Sequence, residues 1–286
     1  MGNYYQFIPL KENVYRITSP EFVFCDLLIG TEKAMLIDTG YGYGDLKGAI
    51  REITDKPLVI VNTHGHVDHT CGNFQFEEPV YISEKDMDLC KRHNSVAQRQ
   101  KSIMLAEHSR DYVTGEEYNA LPEDFSKSNY IDNGSTGNIV PCTEGMVFDL
   151  GGITIEVYET PGHTQGGLSF HYKEENWLYT GDEVNGFCWL FDDDSTDRKT
   201  HIKTLEKILA INPERIYIGH MPVPVNTEDV KRFIEAAEKA DFTKGIPFTT
   251  PILGEGIEAR ICPLDGCTME DMGKPGFASI VISADK

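Results

Sequence analysis

Four residues that favour divalent metal ions fall within six positions of one another, His64, His66, Asp68 and His69. Neutral imidazole nitrogen and carboxylate oxygen are the donors preferred by a borderline ion such as zinc. Crowded together without a metal, these polar groups would compensate one another poorly, so the run points to metal chemistry rather than to an ordinary polar loop. In extended backbone His64 and His66 project to one side, while Asp68 and His69 belong to the turn that follows. The run therefore offers ligands to two neighbouring metal positions.

One cluster cannot complete two coordination shells, and later strand ends supply candidates for the rest. His163 in Thr160-Pro161-Gly162-His163-Thr164, Asp182 in Tyr179-Thr180-Gly181-Asp182 and His220 in Ile216-Tyr217-Ile218-Gly219-His220 each follow a short β-like run, with glycine directly before the ligand. Glycine at that place permits a tight bend and close approach of backbone to a site.

The elements that must position these residues can be read from pattern. Val14 to Thr18, Phe22 to Ile29 and Ala34 to Ile37 read as an antiparallel meander, and a helix begins after the N-cap Asp45 and runs to about Ile53. Pro57 to Asn62 is an apolar run of the buried-strand type that leads straight into Thr63 and His64. Residues 83–138 are polar and helix-compatible, a mostly helical insertion in which Ser83 and Asp86 make a weak capping box. Strands are expected at Met146 to Leu150, Thr154 to Tyr158, Leu168 to Tyr172, Trp177 to Thr180 and Arg215 to Ile218, and helices near Thr200 to Ile211 and Thr227 to Ala240. Two further runs, Ile257 to Ile261 and Phe277 to Ile282, read as paired strands within a C-terminal extension of about 246–286.

In its motifs and their order, from Leu36-Ile37-Asp38-Thr39-Gly40 through the H-x-H-x-D-H run, PGHT, TGD and GH, the chain resembles the metallo-β-lactamase fold hydrolases over residues of about 10–225. The resemblance implies an α/β fold, a four-layer αββα sandwich of two mixed sheets flanked by helices, in which residues 1–286 form a single domain. It also implies that His64, His66 and His163 hold a first metal, that Asp68, His69 and His220 hold a second, that Asp182 bridges them, and that Asp38 supports the ligands from behind. An aspartate at position 182 is similar to glyoxalase II-like thioesterases and lactonases. Classical β-lactamases usually carry cysteine or serine there. His66 argues against the diiron oxidases of the same fold, which replace an early histidine by an acidic residue. Thr70-Cys71-Gly72 departs from the double glycine common after the histidine run.

Two divalent ions about 3.5–4 Å apart lower the pKa of a shared water towards ~7, which supplies hydroxide at neutral pH without a strong protein base. The expected activity is hydrolysis of a small ester, lactone or thioester by that bridging hydroxide, with two Zn2+ per chain, or Fe or Mn in their place. Asp68 is the candidate catalytic residue, orienting the hydroxide or shuttling its proton. Two other readings stay open: a mononuclear iron oxygenase resembling persulfide dioxygenases, and a metal-stabilised binding module without catalysis.

Composition narrows the partners. The chain has 286 residues, 40% hydrophobic and 25% charged, ordinary for a globular protein. A net charge of −20 repels phosphate backbones, so a small molecule rather than nucleic acid is the expected substrate. No run approaches the ~18–20 apolar residues of a membrane span, and the N-terminus has no signal-peptide pattern, so a cytoplasmic location is expected. Seven widely spaced cysteines read as reduced, buried thiols. His93, His108, His171 and His201 match no motif and are assigned to surface or packing. The loop Tyr41 to Gly44, the insertion, and the stretch Asn185 to Phe191 with Phe187 and Trp189 are expected to choose the substrate. Lys91, Arg92, Arg99 and Lys101 read as a solvated helix face or as a lid for an anionic group.

Overall fold

The computed structural model describes residues 4–111, 114–250 and 257–286, so residues 112–113 of the insertion and 251–256 of the C-terminal extension lie outside the described residues. The chain divides into two compact units, Met1–Glu156 and Val157–Lys286.

The first unit begins with the meander β1 (Gln6–Lys11), β2 (Val14–Thr18), β3 (Phe24–Ile29) and β4 (Ala34–Ile37), each antiparallel to the next. A crossover through α1 (Leu46–Arg51), capped by Asp45 as its sequence predicts, returns the chain to β5 (Leu58–Val61), parallel to β4. Then follow the one-turn helix α2 (Val67–Thr70) and β6 (Pro79–Ser83), parallel to β5. Every residue of β3 and β4 is buried, so neither strand shows an apolar–polar alternation; the one charged residue, Asp26, pairs with the buried Arg16 of β2 at 3.1 Å. Leu27, Leu36, Ile60 and Val80 join Leu46 and Ile50 of α1 in one core cluster.

The insertion contributes α3 (Met87–His93), α4 (Val96–Glu107), the small ribbon β7 (Ser109–Arg110) with β8 (Glu117–Tyr118), and α5 (Lys127–Asp132). Its regular structure is mostly helical, as expected. β9 (Asn138–Cys142) then closes the seven-stranded sheet in the order β1-β2-β3-β4-β5-β6-β9. β10 (Val147–Asp149) pairs antiparallel with β11 (Thr154–Glu159), the strand in which the first unit ends.

The basic residues of the insertion do not form one solvated face. Lys91 and Arg92 are exposed, but Arg99 is completely buried, its guanidinium 4.6 Å from the Tyr130 ring centre and 5.0 Å from that of Phe74. Arg99 donates to the carbonyls of Cys71, Asn94 and Ser135 and to the Asn94 side chain, so the cation is spent on holding loops together. Tyr41 and Tyr43 stack at 5.2 Å within a cluster that includes Ile103, Tyr130 and Phe125.

In the second unit β12 (Leu168–Tyr172) pairs antiparallel with β13 (Trp177–Tyr179), to which β15 (Arg215–Tyr217) is parallel. β14 (Phe187–Leu190) belongs instead to a sheet built with the C-terminal strands, in the order β14-β18-β17-β16, where β16 is Ile246–Phe248, β17 is Ala259–Pro263 and β18 is Ser279–Ser283. The two expected C-terminal strands thus exist and pair with each other, Ile261 opposite Val281. Helix α6 (Arg198–Ile211) starts on Asp197, which accepts from Thr200, and stops at Asn212 in the left-handed region, φ 54°. Helix α7 (Thr227–Lys239) carries a reciprocal Asn226/Asp229 capping box, and its Val230, Phe233 and Ala236 pack with Leu205 and Ile208 of α6. Among the described residues no helix is long and apolar enough to cross a membrane.

Candidate metal centre

Two parallel strands aim the first set of residues. Directly after β4 comes Asp38, which adopts φ +62°, a conformation that aspartate tolerates better than most side chains, and the backbone N–H of Asp38 donates to the carbonyl of Val61 in β5. β5 is followed directly by Asn62, Thr63 and His64. Asp38 then collects three donors: the Thr63 N–H at 2.7 Å on Oδ1, and on Oδ2 the Thr63 hydroxyl and His69 Nδ1, both at 2.8 Å.

These bonds fix protons. The Thr63 hydroxyl gives its only hydrogen to Asp38, so at 3.0 Å it accepts from Nδ1 of His64. His69 Nδ1 likewise donates to Asp38. In the neutral forms, both rings therefore present a lone pair at Nε2, the state a metal ligand requires. His66 lies with its ring centre 4.8 Å from that of His64, and Asp68 Oδ2 is 3.7 Å from His69 Nε2.

Behind the histidines lies a buried amide network that the sequence did not announce. The His69 carbonyl accepts from the Thr39 N–H and from Asn62 Nδ2, Asn73 Nδ2 donates to Asn62 Oδ1, and the Thr39 hydroxyl donates to Asn73 Oδ1. Gly72 is required by the same crowding: a Cβ there would stand 2.2 Å from the Thr39 carbonyl oxygen. On the opposite side Asp86 is almost fully buried, and its Oδ2 accepts from the Gly65 N–H at 2.9 Å. Ser83 caps the short turn before α3, but its hydroxyl accepts from the Lys85 N–H and not from that of Asp86, so the pattern is not the expected capping box.

In the second unit the loop after β11 carries His163, and a wholly buried glutamate, Glu183, organises it. Its Oε2 accepts from the His163 N–H at 2.7 Å, and its Oε1 accepts from the Thr164 N–H and hydroxyl at 3.1 and 3.2 Å. Gly167 leaves room for that carboxylate, since a Cβ would sit 2.1 Å from Oε1. His163 Nδ1 donates to the Trp189 carbonyl of β14 at 2.9 Å, which again assigns the lone pair to Nε2. Asp182 follows β13 through Gly181, and its Oδ2 is 3.9 Å from His163 Nε2 and 3.1 Å from Nε2 of His220, which follows β15.

Four of the seven expected ligands therefore stand together in the first unit and three in the second. The sequence reading missed Glu183, Asp86, Asn62 and Asn73. Glu183 left one legible trace, an acidic residue placed directly between an expected ligand and the apolar Val184.

His201, on α6, is buried beneath this loop with its Nδ1 2.5 Å from where a Cβ on Gly162 would lie. Burial, and then the neighbouring His163, push its pKa down to about 4. The unfolded chain, with a histidine pKa of about 6.5, takes up the proton first as pH falls. His201 therefore contributes stability that is whole above about pH 6.5 and is lost progressively towards pH 4, in total about 3 kcal/mol. Urea unfolding across that range is expected to show the decline in the native chain and a flatter profile in His201→Leu. Equal slopes would contradict the assignment.

The sequence model of the metallo-beta-lactamase superfamily matches residues 18–81 and 103–220, and the chain belongs to that superfamily. It is 28% identical over 221 residues to the beta-lactamase-like protein 2 homolog of Caenorhabditis elegans, an alignment covering 75% of this chain and 61% of that protein. It is 22% identical over 235 residues to the acyl-coenzyme A thioesterase MBLAC2 of Homo sapiens, covering 77% of this chain and 79% of the relative. A metallo-beta-lactamase from Pontibacter korlensis superimposes with TM-score 0.57 at 17% identity, covering 82% of this chain and all of that one. An archaeal superfamily protein from Sulfolobus tokodaii does so with TM-score 0.55 at 19% identity, covering 86% and 92%. These structures share the mixed α/β fold, with several mixed sheets flanked by helices.

Proposed function

We propose that the chain is a dinuclear zinc hydrolase that cleaves a small thioester, ester or lactone. In this reading His64, His66 and His163 hold one ion, Asp68, His69 and His220 hold the other, and Asp182 lies between them. The observation that carries it is the proton arrangement: His64, His69 and His163 each give the Nδ1 hydrogen to an oxygen, so each offers Nε2 as a lone pair. Imidazoles and carboxylates in that state fit a borderline divalent ion. Kinship with a protein named as an acyl-coenzyme A thioesterase favours the thioester.

Bound metal would supply water activation at neutral pH and polarise the scissile carbonyl. The chain's own groups do the rest. Asp38 and the Trp189 carbonyl fix the ring planes, so no reorganisation accompanies the reaction. Asp68, whose side chain is 17% exposed, would accept the proton of the attacking water at a carboxylate oxygen and release it.

Metal analysis of the purified protein, followed by a screen of acyl thioesters, lactones and phosphoesters with and without chelator, tests the proposal. Two zinc ions per chain and chelator-sensitive thioester or lactone cleavage are expected. One iron per chain with oxygen uptake on a thiol substrate would assign an oxygenase instead. Full metal loading without cleavage of any substrate would leave a binding module.

A further inference from the structure

The one-turn helix α2 carries two of the proposed ligands, Asp68 and His69, yet it lacks a side-chain cap of its own. The first N–H groups of any helix have no partner within the helix, and a short polar side chain at the N-cap ordinarily answers one of them. Here the N-cap position is occupied by His66, whose ring is claimed by the metal in the reading above. The missing acceptor comes from another helix. His93, the last residue of α3, accepts the Val67 N–H on Nδ1 at 3.1 Å, and its ring stacks on His66 with centres 5.0 Å apart and planes 26° from parallel.

His93 does not act alone. Asp86 takes the Gly65 N–H, Asn94 Nδ2 donates to the Thr70 hydroxyl at 3.0 Å, and Arg99 donates to the Cys71 carbonyl at 3.0 Å. Gly65 lies so close under α3 that a Cβ would meet the Asp86 carbonyl at 2.8 Å and Leu89 at 2.9 Å. The four residues of this clamp fall within 82–102, the stretch that the superfamily's sequence model leaves unmatched, whereas the loop they grip is matched.

We infer that His93 is a positioning residue for His66 and α2: it caps the ligand-bearing turn from outside, and metal affinity depends on the acceptor it provides. The inference rests on the proposed role of His66 as a ligand. Removing a group that orients a ligand typically costs ~10–100-fold in metal affinity. An orphaned backbone N–H in a buried turn is the costlier of the two losses, ahead of a ring stack, so the hydrogen bond should dominate.

Three variants separate the contributions. His93→Phe keeps a ring against His66 and deletes the acceptor, His93→Asn deletes the ring and keeps an acceptor near the Nδ1 position, and Lys91→Ala on the exposed side of α3 is a control. Affinity is read by competition with a chromophoric chelator, ligand geometry by the visible spectrum of the cobalt-loaded protein, and the cap by exchange of the Val67 amide in metal-free protein. His93→Phe is expected to weaken metal binding at least tenfold, to alter the cobalt bands and to speed Val67 exchange, while His93→Asn stays within about threefold of the native chain. Native affinity and spectrum in His93→Phe, or a loss in His93→Asn equal to that in His93→Phe, would overturn the inference.

Val67→Pro offers a second route if His93→Phe does not fold. His66 already has the extended backbone, φ −70° and ψ 157°, that precedes proline, and proline is well accepted at the first helical position. With the donor removed, adding His93→Phe should cost nothing further in folding or affinity, and an added loss of either would refute the cap. A native chain that takes up no metal but protects the Val67 amide through His93 would sink the proposed function and leave the cap standing.

Discussion

Asp182→Asn is expected to lower turnover by on the order of 10²-fold or more while leaving the thermal midpoint of the metal-free protein within a few degrees. The carboxylate stands 3.1 Å from His220 Nε2 and 3.9 Å from His163 Nε2. Asparagine keeps the shape and one oxygen but loses the charge that would offset two cations. The effect should therefore appear as reduced kcat and reduced metal content, with a smaller change in KM. Excess metal in the assay should restore part of the rate. Wild-type rate and stoichiometry in this variant would show that Asp182 does not lie between two ions.

Glu183→Ala is expected to have the largest effect on folding. Three donors converge on its carboxylate, two backbone N–H groups and the Thr164 hydroxyl, and all lie out of solvent. Truncation leaves each without its acceptor and opens a void against Gly162 and Gly167. A buried, unsatisfied donor costs about 1–3 kcal/mol, so a loss of about 3–5 kcal/mol of unfolding free energy is expected in urea titrations. Glu183→Gln retains one acceptor oxygen, and a smaller loss is expected from it. If Glu183→Ala were as stable as the native protein, the loop would owe its shape to something other than this side chain.

The positions of the candidate ligands were legible because the segments that carry them follow apolar strand runs, and such runs are visible in a single sequence. Pro57 to Asn62 led to His64, and the strands Thr154 to Tyr158, Trp177 to Thr180 and Arg215 to Ile218 led to the others, all within two residues of the observed ends. Asp38 apart, the groups that orient the candidate ligands were not legible, for two physical reasons. Asp86 and Glu183 act through contacts distant in sequence from their targets, and nothing in their local pattern marks them. The Trp189 support is a backbone carbonyl, which carries no residue signature at all. Arg99 misled for a third reason. A helix with no pronounced apolar stripe, α4, hides a buried cation among aromatic faces, where a surface charge was the simpler reading.

Strands also went unread where burial was partial or the run was short. β1 alternates weakly, β6 begins with Pro79, and β14 lies in a stretch that reads as a substrate loop. That last strand exists because β18 pairs with it from the far end of the chain, Trp189 opposite Val281. Local sequence cannot report a partner nearly a hundred residues away.

His163 leans on the main chain of position 189, not on the indole attached to it. Any amino acid placed there presents the same oxygen, so the ring's orientation is insulated from drift in the side chain. The indole is half-buried among Phe187, Phe191 and Phe248, and it can be exchanged for other shapes without unseating the imidazole behind it. Substitution at this position can thus reshape the aromatic cluster while the support of the imidazole is inherited unchanged.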